Sequence, residues 1–365
     1  MENNPRKEES LGYFNLARGI GMIIILFGHS VTPFLIVPEK AFLFSGWGSV
    51  LGGGILAMFF MISGFGFYKR SPKKCLSIQA KLLLRPYCIV AVLVLITKII
   101  LAFVEQRSFW EHGGEMILTY LLGLNAEGGG ELHGITIETI SIFWFILALF
   151  GAWNIYNAIM QLKSEKIQNC LIIGCVVLSY LLSLISKLWP FCIPMALMAV
   201  GYLAVGNFIR KHHLMTEKLP VWCWVAILTV TLISAAFGEV NIVSCVWRLG
   251  LIDVAGSFCM GFLLLRLYAR VMKRDWHGRI VGFLEEIGFN SIWIVCIHAY
   301  EKITFPWYRI PIDYPDHLLL GAIFCLVGRC VVMYVLYQLV VTVSRKWKKK
   351  KKRRKKKTIL EGKID

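Results

Sequence analysis

Long apolar runs separated by short polar connections dominate the chain. Ten of them approach the roughly 20 residues that a helix needs to cross a bilayer core. They lie at about 11–36, 48–68, 82–104, 139–160, 168–187, 190–209, 221–238, 249–270, 288–306 and 318–343. The pattern predicts an all-α polytopic membrane protein with about ten transmembrane helices. The polar start "MENNPRKEES" leads into a long apolar run with no small-residue cleavage site between them. The first run therefore reads as a membrane helix rather than a removable leader. In the long connection 105–138, "MILTYLLGL" (Met116–Leu124) is too short to span and reads as re-entrant or interfacial. Gly128–Gly130 in the same connection reads as flexible loop, not as a phosphate cradle, because no strand precedes it.

Charge gives this array a direction. The connections after the second, fourth, sixth and eighth runs are "KRSPKKC", "LKSEK", "RKHHLMTEK" and "RVMKRDWHGR", and the stretch after the tenth run is basic too. The remaining connections are poorer in Lys and Arg; the longest, Glu105–Glu138, carries six glutamates against one arginine. Basic loops stay on the cytoplasmic side. Both termini are thus expected in the cytoplasm, and the expected location is the cell (plasma or inner) membrane, crossed many times. Of the net charge of +18, 12 basic residues fall in "RKWKKKKKRRKKK" (Arg345–Lys357), which leaves about +6 for the rest. That block follows an apolar run directly. It reads as a cytoplasmic tail, 344–365, lying on anionic lipid headgroups at about 1 kcal/mol per charge, rather than as a specific nucleic-acid arm. Residues 1–343 then form the membrane-embedded domain.

Composition agrees. The chain is 57% hydrophobic and only 17% charged, against about 25% charged in soluble domains, which excludes a water-soluble fold of this size. The eleven cysteines form no C-x-x-C pair and mostly sit in apolar runs, where cysteine behaves as a small hydrophobe. Neither a zinc site, a redox motif nor a disulfide framework is indicated.

Candidate chemistry begins in the first run, "RGIGMIIILFGH" (Arg18–His29). Eleven residues at 100° each return to within about 20° of the start, so Arg18 and His29 share one helix face, about 16 Å apart. Glycines at 19, 21 and 28 permit close helix approach. Arg18 reads either as a side chain snorkelling to the inner interface or as a functional charge. His29 cannot snorkel, and reads either as a hydrogen-bonded packing residue or as a general base. Ser63, in "MFFMISGFGFYKR" (Met58–Arg70), sits beside Gly64 as close-packing serines do, and no G-x-S-x-G surrounds it.

Together these stretches carry a resemblance. Arg-x10-His in the first membrane helix, followed by Phe59-Phe60-x-x-Ser63-Gly64-Phe65, resembles the type-3 acyltransferases, bacterial membrane enzymes that acylate surface sugars. "KLLLRPYCI" (Lys81–Ile89), "SIFWFILALF" (Ser141–Phe150) and "IGFNSIWIVCIHAY" (Ile287–Tyr300) are similar to further family stretches. The similarity runs from about residue 11 to 300. It departs before Pro86-Tyr87, where the family usually has several arginines and this chain has Lys81 and Arg85.

The resemblance implies transfer of an acyl group, acetyl in the usual case, from cytoplasmic acyl-CoA to a hydroxyl of a sugar, polysaccharide or glycolipid. The acyl-CoA would be a donor substrate, with no tightly bound cofactor and no metal. It assigns Arg18, Lys81, Arg85 and Ser63 to the donor side and makes His29, Arg18 and His298 the catalytic candidates. Guanidinium groups suit phosphate contacts. In the ninth run, Ser291 and His298 align on one face and Glu301 lies one turn beyond, able to orient His298; a packing role for His298 is the alternative reading. Asp253 is a weaker candidate, as an intramembrane ion-pair partner. His112 and His133 lie in the outer connection at spacings that suit no metal, and His212 and His213 belong to a basic, solvated loop. The competing classes are a secondary transporter of a small polar or sugar-like solute, which commonly shows repeated halves and paired broken helices, and a membrane scaffold with a basic tail.

Overall fold

A computed structural model of the chain describes residues 5–31, 34, 46–106, 115–125, 130–132, 135–137, 139–186, 188–271, 278–307, 309–313 and 317–361; it leaves out the side chains of 5–13, 115, 130–138, 318 and 343–361. The chain is almost all helix: α1 (Pro5–Val31), α2 (Trp47–Phe65), α3 (Pro72–Gln79), α4 (Arg85–Val104), α5 (Glu115–Leu122), α6 (Trp144–Ile159), α7 (Glu165–Ile185), α8 (Ile193–Lys211), α9 (Val221–Phe237), α10 (Leu251–Val271), α11 (Arg279–Phe289), α12 (Ser291–Thr304), α13 (Arg309–Asp313) and α14 (Leu318–Glu361). Two short antiparallel hairpins interrupt them, β1 (Gly130–Leu132) with β2 (Ile135–Ile137) and β3 (Val240–Asn241) with β4 (Val246–Trp247).

Eight of the described helical segments are long and apolar enough to cross a bilayer, and nine if α11 and α12, bent by 80°, form one broken span. α9, at 17 residues, is apolar but shorter. Where backbone must cross an apolar layer, helices satisfy every amide internally, and that is the architecture seen. The protein is a multi-pass membrane protein.

Three details differ from the expected runs. The third begins earlier, at Pro72, and passes through a π-helical turn, Ala80–Leu84, before Arg85. Pro86 offers no N–H and its ring crowds the carbonyl one turn back. The helix widens just before it, and the Arg85 amide reaches back to the Ala80 carbonyl. "MILTYLLGL" forms the short α5. Of the glycine run, Gly130 opens strand β1 rather than lying in a flexible loop; residues 126–129 lie outside the described part. The tail does not break from the tenth run: α14 continues as one helix to Glu361.

The centre of the bundle is α2, held between α8 and α10. Small residues set that distance, as in membrane helix pairs generally. A Cβ on Gly64 would collide with the Leu203 carbonyl, and one on Gly206 with the Met61 carbonyl. Buried Phe60, Tyr202 and Met58 fill the layer between, with Phe60 stacked on Tyr202 at 6.0 Å. α1 lies outside this core against α11 and α14, and α12 runs among α1, α4 and α14.

One end of the bundle gathers the basic connections. Asn157 on α6 and Gln161 in the turn after it hold the Arg70 backbone, Arg210 lies 4.4 Å over the Tyr68 ring, and Arg266 bonds the carbonyls of Leu214 and Glu217. At the other end the Asn125 amide donates to the Val243 carbonyl and the Val240 amide to the Ser49 hydroxyl, joining the connections that precede α6 and α10. Asp253 belongs to this end as a structural residue, not as an ion-pair partner. Fully buried, it accepts from the Ser234 hydroxyl at 2.6 Å and from the amides of Leu249 at 2.7 Å and Glu239 at 3.1 Å, so it ties the β3–β4 hairpin to α9 and α10.

Candidate active site

A cavity of about 690 Å³ lies in the end of the bundle remote from the basic connections. Its walls come from the C-terminal half of α1, the N-terminal half of α2, the C-terminal half of α4, the start of α6 and α12. Most of the lining is apolar or aromatic, including Phe59, Trp144 and Phe145. Polar groups enter at a few points: His29, Lys98, Lys302, Asn125, Thr139 and Ser141. A largely apolar cleft with a few convergent polar groups is the usual form of a small-molecule site.

His29 reaches the cavity because Gly28 and the face it shares with Met22 and Ile25 turn that way. Gly28 itself has nothing within 4 Å of a notional Cβ, so it opens space in the wall rather than drawing a helix in. Gly19, lower on the same helix, does bring α11 in, its notional Cβ meeting the Leu284 carbonyl.

Behind His29 stands a buried charged group. The His29 and His298 rings are 5.3 Å apart. His298, with no exposed surface, meets Glu301 through Nδ1 at 2.7 Å. Glu301 in turn takes Trp307 Nε1–H on its other oxygen and lies 3.5 Å from the Arg329 guanidinium, which sits 5.4 Å over the Trp307 ring. A carboxylate on Nδ1 fixes the imidazole tautomer and leaves Nε2 as the acceptor. Among the described residues nothing bonds that Nε2. On the cavity side, Lys302 Nζ is 3.5 Å from His29 Nδ1.

The other sequence candidates lie elsewhere. Arg18 is on the His29 face as expected, but does not border the cavity; it reaches Asn15 at 3.5 Å. Ser63 is held by the Trp153 indole N–H at 2.9 Å, clamping α2 to α6 near the basic end. Lys81, in the π turn, and Arg85 are exposed and away from the cavity. Ser291 is buried at the start of α12. His112 and His133 lie outside the described residues.

Besides the polar lining residues Asn125, Thr139 and Ser141, four residues of this site were not among the sequence candidates: Lys98, Lys302, Trp307 and Arg329. Three carry a signal that was there to read. Lys98 interrupts the apolar run of α4, Arg329 is the single charge of the run 318–343, and Lys302 follows Glu301. An ionisable residue inside a membrane helix is costly and marks a site, the same rule that singled out Arg18. Trp307 carries no such signal.

No family model, curated protein or solved structure matches the chain.

Proposed function

We propose that this protein is an integral-membrane acyltransferase. It moves an acyl group, acetyl in the simplest case, from acyl-CoA to a hydroxyl of a sugar, polysaccharide or glycolipid. The observation that carries the reading is His29: it completes the Arg-x10-His motif and is the imidazole on the cavity wall, backed by the His298–Glu301 pair. In this reading ten segments cross the membrane, with α9 and the bent α11–α12 pair added to the eight long ones, and both termini are cytoplasmic. The polybasic end of α14 then lies against anionic headgroups. The cavity faces outward, while Arg18, Lys81, Arg85 and Ser63 lie toward the cytoplasmic, donor side.

The chemistry needs one base. His29 takes the proton of the acceptor hydroxyl as its oxygen attacks the thioester carbonyl carbon. The new C–O bond forms, the C–S bond breaks, and the departing thiolate takes the proton from the imidazolium to leave as the CoA thiol. His298 stands behind His29 and does not border the cavity, so it acts as a positioning residue, oriented by Glu301.

One observation favours a transporter instead: the 80° break between α11 and α12, since broken helices build transport sites. Membranes containing the protein distinguish the two. Labelled acetyl-CoA is expected to label a glycan or lipid fraction; solute uptake into vesicles without any labelling would sink the enzyme reading.

A further inference from the structure

The cavity is closed on most sides and open on one. Among its described lining residues the exposed ones are Ile24 on α1 and Gly48, Leu51 and Gly52 on α2. Those contributed by α4, α6 and α12 are buried or half-buried. The mouth therefore lies in the seam between α1 and α2. At 100° per residue, Ile24 stands between two faces of α1: exposed Ile23 and Phe27, which do not border the cavity, lie to one side, and the cavity residues Ile25 and His29 to the other. Gly28 and Gly52 have nothing within 4 Å of a notional Cβ, so the seam is open where side chains would close it. This opening is at membrane depth. Exposed Trp47 begins α2, and an indole at a helix end marks the membrane interface. Leu51 lies about 6 Å further in, and Ile24 about 10 Å in from the end of α1 at Val31. Apolar groups line the mouth, and the polar ones stand inside. One of them independently points to a ligand. Ser141, nine-tenths buried on the cavity wall just before α6, holds its hydroxyl without a hydrogen-bond partner among the described residues. Leaving a buried hydroxyl unpaired is costly; a polar head entering the cavity pairs it.

We propose that the acceptor is a lipid that enters sideways from the bilayer, between α1 and α2. Its hydrocarbon chain stays in the seam over Gly28 and Gly52, and its sugar head reaches inward to His29 and Ser141. The acceptor class is then a glycolipid rather than a free sugar or a polysaccharide, and the chain is recognised together with the head. A chain held in this seam passes from lipid to apolar side chains without meeting water, so binding carries no cost of hydrating it. A water-borne sugar, by contrast, gains nothing from an apolar mouth below the interface. This rests on the reading of the cavity as the acceptor site, and it extends that reading to a substrate class and a route.

Photo-crosslinking of the full-length protein in nanodiscs tests it without requiring turnover. Two probes carry the same diazirine-bearing chain, one a glucosyl diacylglycerol and one a phosphatidylcholine, and labelled residues are mapped by mass spectrometry. The glycolipid is expected to label Ile25 and Leu56, inside the seam, several-fold more than phosphatidylcholine does. Both probes should label Ile173 alike, since it is exposed on α7 away from the cavity. Excess unlabelled glucosyl diacylglycerol should suppress the seam labelling, and its head alone, glucosylglycerol, should not; these comparisons use wild type and do not depend on any variant folding. Leucine side chains fill the space the chain needs, so Gly28→Leu/Gly52→Leu should lower seam labelling about fivefold or more and leave Ile173 unchanged. Equal seam labelling by the two probes would show bulk lipid only and overturn the proposal. Seam labelling that survives the leucine variant, or that glucosylglycerol suppresses as well as the whole glycolipid does, would overturn it too. Seam labelling with no acyl transfer from acetyl-CoA would leave the lateral site standing and remove only the enzyme reading; acyl transfer to glucosylglycerol with no seam labelling would do the reverse.

Discussion

At the scale of single residues, the candidate site depends on one buried carboxylate. Glu301 has no exposed surface and serves His298, Trp307 and Arg329 together. Removing one member of a buried charged pair strands the other and costs about 3–5 kcal/mol, whereas removing both is often neutral. Glu301→Leu is therefore expected to lower the thermal unfolding midpoint of the purified protein markedly, and Glu301→Leu/Arg329→Leu to restore most of it. A single and a double variant with equal midpoints would show that the two side chains are not coupled. Asp253 is a comparable case with a purely structural role. Asp253→Ala leaves three donors without their acceptor, at about 1–3 kcal/mol for each buried group, and should destabilise the protein without altering ligand binding in the cavity. The sequence made His29, His298, Glu301 and Asp253 visible because each is a polar side chain in an apolar run. It could not say which of them meet: His29 and His298 are 269 positions apart and come within 5.3 Å only because α1 and α12 pack together.

At the scale of elements, close approach decides the core. Gly206→Val is expected to force α2 and α8 apart and abolish folding, because even a Cβ there meets the Met61 carbonyl. Gly174→Ala, on α7 with open space around it, should be neutral or stabilising by up to about 1 kcal/mol; size-exclusion profiles after expression compare the two. Element existence was legible wherever an apolar run stood between polar connections, as in α2, α6, α7 and α8. Their ends were not always. α3 carries lysines and exposed polar positions, so it read as connection although its backbone joins the span through the π turn. α11 was hidden by Glu285 and Glu286, which break the run. Its break from α12 at Asn290 follows local chemistry: the Asn290 side chain donates to the Glu286 carbonyl and the Tyr337 hydroxyl, closing one helix just before the next begins.

At the scale of the whole molecule, the two ends of the bundle differ in charge as the connections do, with arginines bonding the loops at one end and the cavity at the other. Cysteines introduced at Lys163 and Glu239 should therefore react with an impermeant thiol reagent from opposite faces, Lys163→Cys from the cytoplasm and Glu239→Cys from outside. Labelling of both from one face would contradict the orientation. The gathering of the basic connections at one end was readable from the alternation of basic loops, because charge bias acts on each loop separately. The cavity was not, because its walls come from five helices that no local pattern links. The central claim is that His29 does the chemistry at that cavity, and labelled acetyl transfer from acetyl-CoA in membranes carrying wild type or His29→Ala tests it most directly. General-base removal predicts a loss of about 10²–10⁴-fold in a variant that purifies and unfolds like wild type; transfer by that variant at the wild-type rate would contradict the account.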